Sequence, residues 1–434
     1  MAVTIQLQPS TPNISGTNLV YTLLSTKSSL PQFRYVIDIY ESGSSNYITT
    51  LKTYPNLHSV GNIDVARTLG DYLNTQEDWK NIVNPYSGSI MKTFDLRFGE
   101  EYSNNYSEAT TIYTGSTPNY LSIFPGDLDP RYKDGYNFLS SRFAGPLSGY
   151  DSADTNLTND PLKLNAERWI YPYAAKPIGK DDYETDYYLN RINGNYISSV
   201  GVKLYDSNLV FSASYQDTYT GSLQNDLYTI GTGPKNIGAQ HSAFSSSFAS
   251  GDWSYYEIKI GYNNEQADEI YKAYINEELS EDAISSTPYL TTLPQNGCNL
   301  KTRFAFINKF GVWDYYSIFN PVSRNTGVDK KTYTKVSVGY QNEIALYDAS
   351  NRGEKQYQTS YTDDYSVNTD YLDENMSQWI QELLESPNVF IQEGDDFIPI
   401  IITNSSYRVN NNSERNKLSQ YIISFKYSNK RIKR

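Results

Sequence analysis

The chain has 434 residues and a formal net charge of −13, with 38% hydrophobic and 15% aromatic residues, 42 of them Tyr. That length predicts about three domains and a core that folds without staples. The acidic balance excludes a general nucleic-acid coat, and the aromatic load argues against disorder.

Residues 1–120 are predicted to form a β-sandwich-like module with one small helix. Phe33, Tyr35, Ile37 and Ile39 alternate in FRYVIDIY, the period of a half-buried strand. The turn SGSSN and the strand YITTLKT complete a hairpin. Asp64 is placed to cap a helix over 64–74, with Val65, Leu69, Tyr72 and Leu73 on one face. TFDLRFGEEY returns to alternation through Phe94, Leu96 and Phe98.

Residues 121–250 read as a loop-rich middle region and an assembly surface. Its long loops, GDLDPRYKDGYN among them, are rich in Tyr, which gives rigid contact area at low entropy cost. Tyr132 and Tyr136 are the candidate contact residues there. Asn193-Gly194, between LNRI and NYISSV, predicts a hairpin.

Residues 251–434 read as a β-rich module with two amphipathic helices. EIKIGY is a strand. EQADEIYKAYINEE predicts a helix over 265–278. RFAFIN and VWDYYSIF form an aromatic hairpin. Met376, Trp379, Ile380, Leu383 and Leu384 form the stripe of a helix over 375–385, which Ser386-Pro387 ends. VFIQEGDDFIPIIIT is a hairpin turning at Gly394 to Asp396, and SQYIISFKY is the closing strand. Mainly β, in several modules with a few short helices and long loops, is the expected fold class.

Few residues invite chemistry. One cysteine, Cys298, and two distant histidines, His58 and His241, leave no disulfide and no Cys- or His-rich metal centre. The cluster Asp181, Asp182, Glu184, Asp186 lacks calcium-loop spacing and is expected to be a solvated loop. Asp127, Asp129 and Asp134 echo an EF-hand loop that Pro130 breaks. Asp395-Asp396 fits a turn better than a catalytic pair. No nucleophile, phosphate-loop or zinc-protease motif is present, so the expectation is no enzyme and no cofactor. No leader or membrane-spanning run is visible. The one concentrated basic feature is Lys426, Lys430, Arg431, Lys433 and Arg434, read either as a solubilising end or as an electrostatic peg for an acidic neighbour.

Three stretches carry a resemblance. FRYVIDIYESGSSNYITTLKTYPN with GNIDVARTLGDYL, then RFAFINKFGVWDYYSIF, then VFIQEGDDFIPIIITNSSYRVNNNSERNKLSQYIISFKYSNKR resemble virion structural proteins of tailed phages of Bacteroidetes hosts, the crAss-like phages included. The middle, about 110–260, is not covered. The resemblance implies a virion component made in the host bacterial cytoplasm. It implies a cyclic homo-oligomer, a ring or hub of the neck or tail, joined to other neck and tail proteins. It implies no catalytic residue, no sequence-specific nucleic-acid contact and no membrane. A glycan-binding tail or surface adhesion module is the alternative, and a carbohydrate-active enzyme the third reading.

Overall fold

The computed structural model describes residues 3–73, 91–103, 110–113, 119–126, 162–165, 176–179, 181–189, 197–206, 210–218, 227–240, 253–262, 272–276, 301–335, 338–342, 344–347, 353–372, 374–404, 419–428 and 431–433. Among these described residues it is mainly β, with 60% strand against 9% helix. The chain divides into two units. The first is Met1–Leu293 with Ile307–Asp314; the second is Pro294–Phe306 with Tyr315–Arg434.

The first unit opens with nine strands: β1 (Val3–Leu7), β2 (Asn13–Ile14), β3 (Val20–Ser25), β4 (Arg34–Glu41), β5 (Tyr47–Thr53), β6 (Val60–Asp64), β7 (Lys92–Tyr102), β8 (Thr110–Tyr113) and β9 (Asn119–Phe124). They form two sheets. One is ordered β1-β3-β6, the other β2-β9-β7-β4-β5 with β8 beside β7. The expected alternation is the reason for the packing. Phe33, just before β4, and Tyr35, Ile37 and Ile39 of β4 share one core with Tyr21 and Leu23 of β3 and Phe94, Leu96 and Phe98 of β7. Val36 is buried as well, so β4 is covered on both faces. The short helix α1 (Ala66–Gly70) follows β6 and is shorter than the expected 64–74. Its N-cap is Val65, which makes no side-chain cap; the Asp64 carboxylate just before it accepts from the Ala66 N–H at 3.0 Å, and Tyr72 lies beyond the helix and exposed. Leu69 carries its buried face. Gly61 of β6 lies flat under the Tyr35 ring; a Cβ there would stand 2.2 Å from Tyr35 Cδ2.

Eight more strands follow in this unit: β10 (Leu162–Lys163), β11 (Lys176–Ile178), β12 (Thr185–Leu189), β13 (Ile197–Asp206), β14 (Phe211–Thr218), β15 (Leu227–Gly231), β16 (Trp253–Tyr262) and β17 (Lys272–Asn276), with helix α2 (Pro234–Gln240) after β15. The sheets are β10-β12-β15 and β11-β17-β16-β13-β14. Tyr188, Tyr228 and Ile230 from the first meet Val200, Val202, Leu204, Tyr256 and Ile258 from the second, with Ile237 of α2 between them.

One expectation fails here, and the hairpin expected at Asn193-Gly194 falls on residues outside the described ones. The described strands before and after it lie in different sheets: β12 pairs with β10 and β15, and β13 pairs with β14 and β16. The helix expected over 265–278 is a strand at Lys272–Asn276, antiparallel to β16 and parallel to β11. A run of five residues satisfies either period, and pairing on both sides outweighs a weak helix preference.

The second unit is built on one sheet. Its strands are β18 (Thr302–Ile307), β19 (Trp313–Ile318), β20 (Val322–Thr334), β21 (Val338–Gln341), β22 (Ile344–Tyr347), β23 (Glu354–Asn368), β24 (Val389–Glu393), β25 (Asp396–Ile402), β26 (Ile422–Tyr427) and β27 (Arg431–Lys433), with helix α3 (Glu374–Glu385) after β23. The order is β19-β18-β24-β25-β26-β23-β20, with β27 against β23 and β21-β22 a separate pair. The tip of the β18–β19 hairpin belongs to the first unit. The predicted stripe of α3 is its buried face. Trp379 packs 5.8 Å from the Phe306 ring and 5.3 Å from that of Tyr316. Burial strips water from the Tyr316 hydroxyl and raises its pKa, with the Asp370 charge adding to the shift. Tyr421, Ile423 and Phe425 of the closing strand are buried as expected. Gly394, with φ of +62°, makes the β24–β25 turn beside the exposed Asp395 and Asp396.

Candidate interaction surface

The strand pair β20–β23 is the feature of the second unit that no core explains. Thirteen residue pairs run from Val322↔Val367 to Thr334↔Glu354 in an antiparallel ladder, about 40 Å of ribbon at the usual rise. Its base is anchored. Val367 is buried, Tyr365 stacks on Phe425 at 5.4 Å, and β23 pairs with β26 through Tyr365–Asn368. Beyond that base the ribbon leaves the core: every β20 residue from 323 to 334 is exposed.

The residue types account for this. Ser, Asn, Thr, Gln and Lys alternate with a few apolar residues, so neither face offers a stripe to bury. Cross-strand polar contacts hold the pair instead. Arg324 meets Asp363 at 2.7 Å, Thr326 donates to the same carboxylate at 2.6 Å, and Thr332 donates to Glu354 at 2.5 Å. That carboxylate raises the Arg324 pKa, so the guanidinium stays charged. What apolar surface exists is outward: Val328, Tyr333, Tyr357 and, on β22, Ile344 are exposed. The Tyr333 and Tyr357 rings lie 6.1 Å apart.

The basic C-terminus meets this ribbon. β27 pairs with the middle of β23, Lys433 opposite Thr359 and Arg431 opposite Tyr361. The backbone of these residues is therefore strand in the chain's own sheet rather than a free arm. Lys426 sits half-buried in β26 opposite Ile401. Lys430 and Arg434 lie outside the described residues, as do Tyr132 and Tyr136, Asp127, Asp129, Asp134, His241 and Cys298. His58 is in an exposed turn whose backbone Asn56 holds.

The acidic cluster requires a correction. Asp182, Glu184 and Asp186 are buried, and only Asp181 is solvated. The stretch is stitched to 232–236. Thr232 and Gly233 donate to the Glu184 carbonyl, the Glu184 N–H donates to Asn236 Oδ1 at 2.9 Å, and Lys235 N–H donates to the Asp182 carbonyl. Asp182 Oδ2 accepts from the Gly179 N–H at 2.8 Å. Gly233 permits the approach, since a Cβ there would stand 2.4 Å from Glu184 N. The Asp182 carboxylate closes its own turn, and Glu184 is held through its backbone N–H and carbonyl.

Two polar clusters escaped the sequence reading. In one, the hairpin tip of β18–β19 is locked. Asn165 Nδ2 donates to the Trp313 carbonyl at 2.9 Å and to Asp314 Oδ1 at 3.1 Å, and Asn308 Nδ2 donates to Asp314 Oδ2 and to the Leu164 carbonyl, each at 3.1 Å. In the other, the buried Glu100 accepts from Ser25 Oγ, with Lys27 Nζ 3.5 Å away as an ion pair. Lys27 also donates to Tyr102 at 2.7 Å, and this contact raises its pKa. This cluster ties β3 to β7. Long-range contacts of this kind have no local signal. Among the described residues no group of three or more His, Cys, Asp or Glu is placed to hold a metal, and no helix is long and apolar enough to cross a membrane.

Comparison with protein-family models and with curated proteins finds no match for this chain.

Proposed function

We propose that the chain is a structural subunit of a tailed-phage virion, assembling with copies of itself and with other neck or tail proteins into a ring or hub around the DNA conduit. The observation that carries this reading is the thirteen-pair β20–β23 ribbon, whose β20 strand is exposed from 323 to 334. Its distal part, beyond the pairing of β23 with β27, is a ribbon of two strands alone, which is marginal in water. One that is kept, anchored on a stacked Tyr365–Phe425 base and propped by β27, is built to reach a neighbour. The resemblance of residues 33–56, 61–73, 303–319 and 389–431 to virion proteins supports the particle context. The acidic balance suits a conduit wall, because like charge keeps DNA phosphates from sticking.

The test is to purify particles of the phage that encodes the chain. Mass spectrometry should find it at multiple copies per particle, and gold-labelled antibody should mark the neck or tail. Absence from intact particles would overturn the reading. The exposed Tyr333–Tyr357 pair favours the second reading, a glycan-binding module, which predicts saturable binding of host polysaccharide that Tyr357→Ala abolishes.

A further inference from the structure

We infer that the outer edge of β20 receives a strand from a second copy of this chain. The inference rests on the assembly reading and names the partner of that surface. β20 is the last strand in its sheet order and pairs with β23 on one side; among the described residues no strand covers its other side. In an antiparallel ladder alternate residues turn their N–H and C=O groups away from the partner. About half of the backbone groups of β20 therefore face outward, in a row as long as the strand.

Such edges are normally blunted by brevity, proline, bulges or lysines. β20 has thirteen residues and contains no proline, and its two lysines, Lys330 and Lys331, sit together toward the far end, so Val322–Asp329 carries none of these devices. Its one irregularity in register falls between Lys331 and Thr332. From Val322 to Lys331 the ladder is unbroken, a template long enough for a donated strand.

The charges select the occupant. Arg324 is held by Asp363. Lys330 and Lys331 are exposed and have no ion-pair partner among the described residues, with Asp329 the single acid of the strand. The chain as a whole carries −13, so its other surfaces supply the acid that these lysines attract. Pairing two β20 strands about Lys330 would set like charges opposite each other. The favoured contact joins β20 to a different, acidic patch of the next copy. That is a heterologous contact, the kind that closes into a ring.

The experiment is hydrogen–deuterium exchange on the full chain, dilute and assembled. Alternate amides of Val322–Thr334 should exchange roughly tenfold or more slowly in the assembly. The variant Lys330→Glu/Lys331→Glu should associate roughly tenfold or more weakly at low salt while melting at the parent temperature. An oligomer whose β20 amides exchange as fast as in the monomer overturns the edge contact and leaves the assembly reading standing. So does a charge-reversed chain that associates as tightly as the parent. A chain that stays monomeric at the highest soluble concentration, yet is found in purified particles, overturns the second copy as occupant while the virion role survives.

Discussion

The pairs β4–β7 and β20–β23 are the same construction put to opposite use. Both are antiparallel ladders, eight residue pairs in the first and thirteen in the second. The shorter one is the centre of a core; the longer one stands in solvent. Ladder hydrogen bonds therefore do not decide which strand is interior. Side chains do. β4 brings Tyr35, Val36, Ile37 and Ile39, all at most 1% exposed, whereas β20 offers Val328 at 50% exposure among threonines, lysines and asparagine. Apolar area removed from water is what holds the first pair in place, at about 25 cal/mol per Å². The second is held by its base and by polar contacts that water competes with.

The largest effect on this comparison comes from substitutions that force backbones apart. Gly311 has φ of +78°, and a Cβ there would stand 1.3 Å from the Pro125 carbonyl oxygen. Gly311→Ala should cost about 3–5 kcal/mol, the sum of left-handed strain and a backbone overlap. Loss of protection at Asn308 and Val312 amides in exchange measurements would report it. A parent-like melting temperature would mean that the hairpin tip does not dock on Pro125.

Next comes the core of β4. Ile37→Ala removes three buried carbons at a site with no exposure, and should cost about 2–5 kcal/mol. Denaturant midpoints measure it. A cost under about 1 kcal/mol would show that the sheet collapses around the gap, and would weaken the contrast with the ribbon.

Much of the first strand pair was legible in the sequence, and little of the second. The alternation through Phe33, Tyr35, Ile37 and Ile39 and the stripe from Met376 to Leu383 encode both an element and the face it buries, so period and burial agree. The ribbon has strand-forming residues but no apolar face, and a reading that looks for buried faces passes over it. A run of Thr, Tyr and Val without an apolar stripe, as in TYTKVSV and YQTSYTDDYSV, is the signal that finds such an element. The buried Asp182, Glu184 and Asp186 failed for a different reason. Their partners, such as Asn236 and the 232–233 backbone, lie some fifty residues on, and no local pattern announces them.

A smaller effect separates the units from the ribbon by pH. Burial raises the pKa of Tyr21 in the first unit, and burial with the Asp370 charge raises that of Tyr316 in the second. In the unfolded chain both titrate near their ordinary value of about 10. Between that value and the raised one, the unfolded state has lost the proton that the folded state keeps. Stability is therefore full below about pH 10 and falls as pH rises above it. Urea midpoints from about pH 8 to about pH 11 should show this fall, and Tyr316→Phe should flatten it for the second unit. An unchanged slope in that variant would mean that Tyr316 ionises in the folded state as easily as in the unfolded one.

The smallest expected effect is the most informative. Replacing Lys331–Gln358 with Asn-Gly joins Lys330 to Thr359 by a two-residue turn, the loop that suits a right-twisted ribbon. The cut keeps Val322–Lys330 and Thr359–Asn368, and with them the pairing of β23 with β26 and with β27. The residues it removes from β20 and β23 are exposed, save the half-buried Gln358. Surface changes of this kind stay within about 0.5 kcal/mol each, and the ends of the removed segment are fixed by a ladder that survives. The melting temperature should therefore be that of the parent. If stability drops by several kcal/mol, the distal ribbon packs on its own chain, and its contrast with β4–β7 is false. If stability holds while the chain loses its assembly, the distal ribbon acts between molecules, and the outward Tyr333, Tyr357 and Ile344 are the first side chains to substitute singly.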